Sequence, residues 1–94
     1  MKAHISIISV NYNGFALTAA MIDSLRRHVT TPLEIVVVDN GSARDEAALL
    51  RERYPDIVVL RSDENLGFGR GNNAGIRYAL GQGATHFFLL NQDA

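Results

Sequence analysis

The sequence lacks cysteine, an excess of charge of either sign and any long hydrophobic run, and each absence excludes a class of protein. Without a cysteine in its 94 residues, the chain can form no disulfide scaffold, cysteine-ligated zinc site or cysteine nucleophile. The 9 Lys and Arg residues against 10 Asp and Glu leave no excess of base for a general nucleic-acid or anionic-membrane surface. No apolar run approaches the roughly 18–20 residues that a membrane-spanning helix needs.

The composition that remains is that of a small globular domain. Hydrophobic residues make up 47% of the chain and charged residues 20%, which is typical of a folded chain rather than a disordered one. The length predicts one domain, residues 1–94, with a thin core. The segment from Met1 to Ile5 enters a short apolar run without the hydrophobic region of a signal peptide, which predicts a cytoplasmic protein.

Hydrophobic patterning predicts strands and helices in alternation. Four short, mostly continuous apolar runs predict strands that are buried on both faces: Ile5–Val10, Leu33–Val38, Ile57–Leu60 and His86–Leu90. Three intervening segments have apolar residues at helical spacing: Phe15–Val29, Ala43–Tyr54 and Phe68–Leu80. Asn13 and Ser42 are predicted to cap the first two helices, and Gly81 or Gly83 suits the end of the third. This alternation predicts an α/β/α domain with a four-stranded parallel sheet.

Polar segments rich in Asn, Asp and Gly follow all four predicted strands. They are residues 11–14, 39–42, 61–73 and 91–94. Ligands of parallel sheets bind at the carboxyl ends of the strands. We therefore expect a binding site where these segments meet.

The segment after the second strand has two interpretations. Asn40 and Gly41 can simply form a turn, because Gly supplies a positive φ, with Ser42 capping the next helix. In the functional interpretation, Asp39 ends a buried strand and its carboxylate accepts a nucleobase N–H or ribose hydroxyls.

The segment after the third strand is rich in glycine near a helix start, at Gly67, Gly69, Gly71 and Gly75. Glycines there permit close approach of the backbone to a ligand or to a neighbouring strand. A helix N-terminus favours an anion, and Arg70 adds a cation suited to a diphosphate. The alternative is a mobile glycine-rich loop without a ligand, although Asn65, Asn72 and Asn73 add hydrogen-bonding capacity.

Residues 69–74 also match the dinucleotide-binding pattern G-x-G-x-x-G/A. That pattern belongs in a tight turn directly after a strand, whereas residues 61–66 separate the third strand from these glycines. A nicotinamide-dinucleotide site is therefore a less favoured alternative.

The chain ends with Asn91, Gln92, Asp93 and Ala94 after the fourth strand. Oxygen ligands such as these can hold Mg²⁺ or Mn²⁺ if substrate phosphates complete the coordination. The alternative is a polar turn.

Taken in order, four blocks resemble a family 2 glycosyltransferase of the GT-A fold. The blocks are residues 5–13, 35–42, 65–76 and 89–93, and the Asn-Leu-Gly-Phe and Asn-Gln-Asp versions resemble the rhamnosyltransferase branch. The resemblance implies strand order 3-2-1-4 and inverting transfer of a sugar to an acceptor hydroxyl. The implied donor is a nucleotide-diphosphate sugar of the UDP or dTDP type, and the implied product a cell-surface polysaccharide.

The resemblance also implies roles for individual residues. Val10, Asn11 and Asn13 would flank the base, and Asp39 with Asn40 would contact the base or ribose. The ribose, diphosphate or sugar would be lined by Asn65, Gly67, Arg70 and Asn73. Asn91 and Asp93 would hold a divalent cation, Mg²⁺ or Mn²⁺, against the diphosphate, although Asn91 stands where the family often has an aspartate.

The family places its catalytic base downstream of the last block. The base is therefore expected beyond Ala94, and the chain is expected to be an incomplete, inactive donor-binding part. A second hypothesis is a self-associating module, because the apolar fourth strand would lie at an exposed sheet edge.

Overall fold

The computed structural model describes residues 3–91, and within them strands and helices alternate as predicted. The elements are β1 (Ile5–Asn11), α1 (Phe15–His28), β2 (Glu34–Asn40), α2 (Glu46–Arg53), β3 (Val58–Ser62), α3 (Phe68–Gly81) and β4 (His86–Leu89).

The four strands form one parallel sheet in the order β3-β2-β1-β4. The α/β class and the strand order are therefore confirmed. The register sets Asn11 beside Asp39 and Asn40 beside Ser62. Because the strands are parallel, these polar residues all lie at the carboxyl edge of the sheet.

A separate hydrophobic cluster covers each face of the sheet. On one face, Ile22 of α1 and Leu50 of α2 pack with Val37 of β2. On the other face, Ala79 of α3 packs with Val36 of β2. Successive side chains of a strand point to opposite faces, so adjacent residues of β2 serve different clusters.

Of the four glycines near the start of α3, Gly71 and Gly75 lie tightly against the sheet. A Cβ on Gly75 would lie 2.5 Å from Cγ2 of Ile8, and one on Gly71 would lie 3.0 Å from Cγ2 of Val10. These glycines let α3 approach the strands closely. The dinucleotide-like pattern at 69–74 lies inside α3 rather than in a turn after a strand.

The first two helices begin differently from the prediction. The sequence predicts Asn13 and Ser42 as N-caps, and this prediction is wrong. The N-cap residues in the structure are Gly14 and Asp45. The Asp45 side chain accepts the backbone N–H of Ala48 at 3.0 Å. Asn13 and Ser42 instead make hydrogen bonds between the loops that precede the two helices.

The third helix ends as predicted. Gly81 is its last residue, and Gly83 takes the left-handed φ of +90°. The N–H of Gly83 donates to the carbonyl of Leu80, and that of Ala84 donates to the carbonyl of Ala79, each at 3.0 Å. These two bonds satisfy carbonyls that the helix end would otherwise leave open.

Candidate functional site

An open cleft of about 640 Å³ lies at the carboxyl edge of the sheet. It is lined from the ends of the strands and the starts of α1 and α3 by Val10, Tyr12, Leu17, Asn40, Asn65, Phe68 and Asn91. The cleft is therefore where the polar strand ends meet, as the sequence predicts.

The predicted site residues on β1 and β2 separate onto the two faces of the sheet. Val10 and Asn40 face α3, near Gly71, and both line the cleft. Asn11 and Asp39 are both fully buried on the face that carries α1 and α2. The cause is strand alternation, which sends neighbouring residues in opposite directions.

Asn11 is the centre of a buried polar network. Its Nδ2 donates to Oδ1 of Asp39 at 2.9 Å and to Oε1 of Glu46 at 3.0 Å. Its Oδ1 accepts from the Thr18 hydroxyl at 2.7 Å. The Ser42 hydroxyl donates to the same Asp39 oxygen at 2.5 Å. Asn11 therefore joins β1 to β2, α1 and α2.

Asp39 is closed off from the cleft by this network. Its side chain is fully buried, and within residues 3–91 its Oδ2 has no hydrogen-bond partner. The structure therefore gives Asp39 internal contacts, and direct contact with a ligand would require the network to open.

Asn13 joins the loop after β1 to the loop after β2. Its backbone N–H donates to the Ser42 hydroxyl at 2.9 Å, and its side-chain oxygen accepts the N–H of Ala43 at 2.8 Å. Asn13 has a left-handed φ of +50°, a conformation that Asn tolerates better than most residues. These two bonds fix the backbone that follows Tyr12, whereas Asn11 fixes the backbone that precedes it.

Asn40 holds the loop before α3 in place. Its Oδ1 accepts the N–H of Leu66 at 2.8 Å, and its Nδ2 donates to Oδ1 of Asn65 and to the carbonyl of Gly67, each at 3.1 Å. The N–H of Gly67 also donates to Oδ1 of Asn65, at 2.7 Å. These backbone donors fix the orientation of both side-chain amides.

Asn65 consequently presents an amide donor to solvent. Its Oδ1 is occupied by two donors, whereas its Nδ2 has no partner in the described part of the chain. Asn65 is exposed and lines the cleft. An acceptor oxygen of a ligand is the group that this Nδ2 suits.

The start of α3 offers further donors. Gly67 precedes the helix with φ +83° and ψ 162°, and no side chain within residues 3–91 caps the first turn. Free N–H groups at a helix N-terminus favour an anion. Arg70 and Asn73 are exposed but are not among the residues that line the cleft.

Sequence reasoning missed three large exposed side chains of the cleft. Tyr12, Leu17 and Phe68 are 47%, 51% and 57% exposed. Aromatic residues directly after β1 and at the start of α3 are the signal that could have identified two of them. Ser42, Glu46 and Thr18 were also missed, because their contacts depend on tertiary packing.

The sequence of residues 6–94 matches the model of the family described as Glycosyl transferase family 2. The chain belongs to this family. Among curated relatives, the low-salt glycan biosynthesis hexosyltransferase Agl10 of Haloferax volcanii is 38% identical over an alignment of 96 residues, which covers 99% of this chain and 29% of the relative. An uncharacterized glycosyltransferase of Nostoc sp., alr2836, is 36% identical over 81 residues. That alignment covers 83% of this chain and 25% of the relative.

Two solved structures share the fold of this family 2 chain. The mannosyltransferase PcManGT from Pyrobaculum calidifontis, in complex with GDP-Man and Mn²⁺, has a TM-score of 0.71 and 24% identity over 84% of this chain and 25% of that one. The structure of S. aureus TarS, residues 1–349, has a TM-score of 0.74 and 23% identity. The match covers 96% of this chain and 27% of that one. The chain thus spans about a quarter of the length of the proteins it matches.

The predicted metal ligands of this glycosyltransferase chain fall at the limit of the described residues. Asn91 lines the cleft, whereas Asp93 lies outside the described residues. Between residues 3 and 91, no Asp or Glu lines the cleft, and no group of three His, Asp or Glu residues could hold a metal ion. A cation there would depend on Asp93 and on phosphate oxygens of the ligand.

No helix within residues 3–91 combines the length and the apolar character needed to cross a membrane.

Proposed function

We propose that this chain is the donor-binding part of a glycosyltransferase that moves a sugar from a nucleotide-diphosphate sugar to an acceptor hydroxyl. The observation that carries the proposal is the cleft at the carboxyl edge, which is lined by the oriented amide donor of Asn65 and by the exposed rings of Tyr12 and Phe68. Family membership supports the reaction class, and the GDP-Man and Mn²⁺ named for PcManGT support the ligands.

The nucleoside is assigned to the part of the cleft between β1 and α3. Tyr12 and Phe68 are both largely exposed, and stacking of a base on an aromatic ring contributes about 1–3 kcal/mol. Val10 and Asn40 line the cleft between them. Asn65 Nδ2 donates to an acceptor oxygen of the base or ribose. Asn11, Asn13 and Asp39 stabilise the turn that carries Tyr12.

The diphosphate is assigned to the start of α3 and to a divalent cation. Gly67 opens a helix whose free N–H groups suit an anion, and Arg70 and Asn73 are exposed on its first turns. Asn91 and Asp93, with the phosphate oxygens, would hold Mg²⁺ or Mn²⁺, which neutralises charge on the diphosphate. The position of Asn91 in the lining of the cleft supports this arrangement.

Finer features of the reaction also belong to the proposal. We infer a UDP or dTDP donor, inversion at the transferred sugar, and rhamnosyl transfer to a cell-surface polysaccharide. These features rest on the four sequence blocks. The described residues put no carboxylate in the cleft, so the 94-residue domain is proposed to bind donor without transferring sugar.

Calorimetry with UDP, dTDP and GDP, each with and without Mn²⁺, tests the proposal. We expect one of them to bind, more tightly with Mn²⁺. Asn65→Asp keeps the oxygen that Asn40 and Gly67 need but replaces the donor with a carboxylate. It should weaken binding roughly tenfold, equivalent to 1.4 kcal/mol.

Gln82→Glu is the matched control, since it makes the same chemical change on an exposed residue at the far end of α3. It should leave the affinity unchanged. Absence of binding to all three nucleotides by the folded chain would contradict the proposal. Sugar transfer by the 94-residue chain would contradict the assignment to binding alone.

Self-association is a second candidate function, favoured by the exposed β4 edge. Phe88 and Leu89 are 57% and 53% exposed. A short apolar edge strand is a template for pairing with another chain, here a second copy.

A further inference from the structure

We propose that Glu46 is a positioning residue of the cleft, acting through Asn11 on the turn that carries Tyr12. The proposal rests on the function proposed above, since it assigns Glu46 an effect on nucleotide affinity. Glu46 itself does not line the cleft.

Glu46 is buried in a way that the stability of α2 does not require. It is the first residue of α2 and only 4% exposed. The helix already has an N-cap in Asp45, whose side chain accepts the N–H of Ala48. An acidic residue in a first turn interacts favourably with the helix dipole without burial, and burial of a carboxylate is costly unless the group is paired. The burial therefore needs another explanation.

The two oxygens of Glu46 have partners of different kinds. Oε1 accepts from Nδ2 of the fully buried Asn11 at 3.0 Å. Oε2 accepts from Nε of Arg44 at 3.2 Å, and the Arg44 side chain is 66% exposed. The Arg44 end of this ion pair is open to solvent, which weakens the attraction between the two charges. The contact with Asn11 is the one that links α2 to β1.

Asn11 passes this constraint to Tyr12. Asn11 is the last residue of β1, and Asn13 is bonded to Ser42 and Ala43 on the loop before α2. The backbone is thus held on both sides of Tyr12, and both attachments end in the segment from Asp39 to Glu46. Tyr12 is exposed in the cleft, so its placement depends on these attachments.

Two measurements on the 94-residue chain test the inference. The first is the affinity for UDP, dTDP and GDP with Mn²⁺, measured by calorimetry. The second is the hydrogen-exchange protection of the Asn13 and Ala43 amides, measured by NMR without nucleotide. In Glu46→Ala we expect about a fivefold loss of affinity and about a tenfold loss of protection, because Asn11 loses its bond to α2 and the turn loosens.

Four further variants separate positioning from stability. Glu46→Gln keeps an oxygen for Asn11 and should restore both readouts. Arg44→Ala removes the ion pair with Glu46 and the contact of the guanidinium with the Phe15 ring, but leaves the bond between Asn11 and Glu46 in place. It should keep both readouts near wild type. Ala47→Gly destabilises the same helix through its backbone without touching Asn11, and should leave affinity and protection near wild type. If Glu46→Ala fails to fold, Glu46→Asp, whose shorter side chain withdraws from Asn11, replaces it.

Three outcomes overturn the inference. They are wild-type protection of the Asn13 amide in folded Glu46→Ala, wild-type affinity in that variant, and an equal loss of affinity in Ala47→Gly. If the folded wild type binds none of the three nucleotides, the proposed function fails. The exchange measurement then still decides whether Glu46 holds the turn.

Discussion

Gly41 lies where the loop after β2 approaches the loop before α3 closely. It has φ +74°, and a Cβ there would lie 2.5 Å from the carbonyl carbon of Glu64 and 2.6 Å from the nitrogen of Asn65. Both neighbours are backbone atoms, which cannot move as a side-chain end can. The close approach brings Asn65 within reach of Asn40.

Gly41→Ala should destabilise the domain by about 2 kcal/mol or more, because the alanine would be strained and would displace the loop. Urea unfolding measures this change. Gly69→Ala is the control, since its Cβ would meet nothing within 4 Å, and it should stabilise α3 by about 0.5 kcal/mol. Similar effects of the two substitutions would show that the contact at Gly41 is not tight.

Asp39 and Asn40 show what sequence reasoning could and could not predict about the site. Its location could be predicted, because the order of elements fixes which strand ends share an edge. The face on which each side chain lies depends on where β2 ends, and the strand continues through both residues. Asn40 is thus at the cleft and Asp39 beneath it. The contacts proposed between individual residues and the atoms of a ligand remain predictions.

At the scale of elements, α2 is held to α1 by the residue that ends it. The ring of Tyr54 is buried, and its hydroxyl lies 2.8 Å from Oδ1 of Asp23 and 3.1 Å from the carbonyl of Ala19. The guanidinium groups of Arg26 and Arg53 lie 5.0 and 5.5 Å from the ring centre. Burial, followed by the hydrogen bond to Asp23, raises the pKa of Tyr54 above 10.0.

Tyr54→Phe should lower the free energy of unfolding by about 1 kcal/mol at neutral pH, through loss of the hydroxyl contacts. The raised pKa adds a pH dependence, since the folded state favours the neutral phenol. That contribution is complete below pH 10.0 and is lost as the pH rises through the folded pKa. Urea unfolding of both proteins from about pH 8 to about pH 11 should show their difference shrinking. A difference constant over this range would contradict the assignment.

The elements themselves could be predicted, whereas two helix caps could not. Apolar runs and helical spacing are local signals, and all seven predicted elements are present. Asn13 and Ser42 are good caps by residue type, but their hydrogen-bonding groups are used between loops. Asp45 then caps α2. A competing tertiary partner is not visible in a local pattern.

At the scale of the whole molecule, helices cover the inner part of the sheet, whereas the edge strand β4 has exposed apolar side chains. Among residues 3–91, β4 pairs only with β1. Phe88 and Leu89 are more than half exposed. A second copy could therefore extend the sheet by pairing along β4.

The 94-residue chain should show a concentration-dependent increase in mass by sedimentation equilibrium. Phe88→Lys should raise the dissociation constant of the self-associated form by at least about tenfold, because a lysine on an edge strand disfavours pairing. Leu80→Lys, on an α3 residue that is 56% exposed, is the control and should leave the mass unchanged. A monomer at every concentration would contradict the prediction.

The hydrogen bonds of Asn40 to Leu66 and Gly67 also affect the thermodynamics of ligand binding. They order one wall of the cleft when the sheet forms, so this wall is preorganised. Ordering a flexible side chain on binding costs about 0.5–1.5 kcal/mol, and a wall that folds with β2 avoids much of that loss of entropy. A loop rich in glycine, which by composition alone would be mobile, thereby becomes a rigid surface.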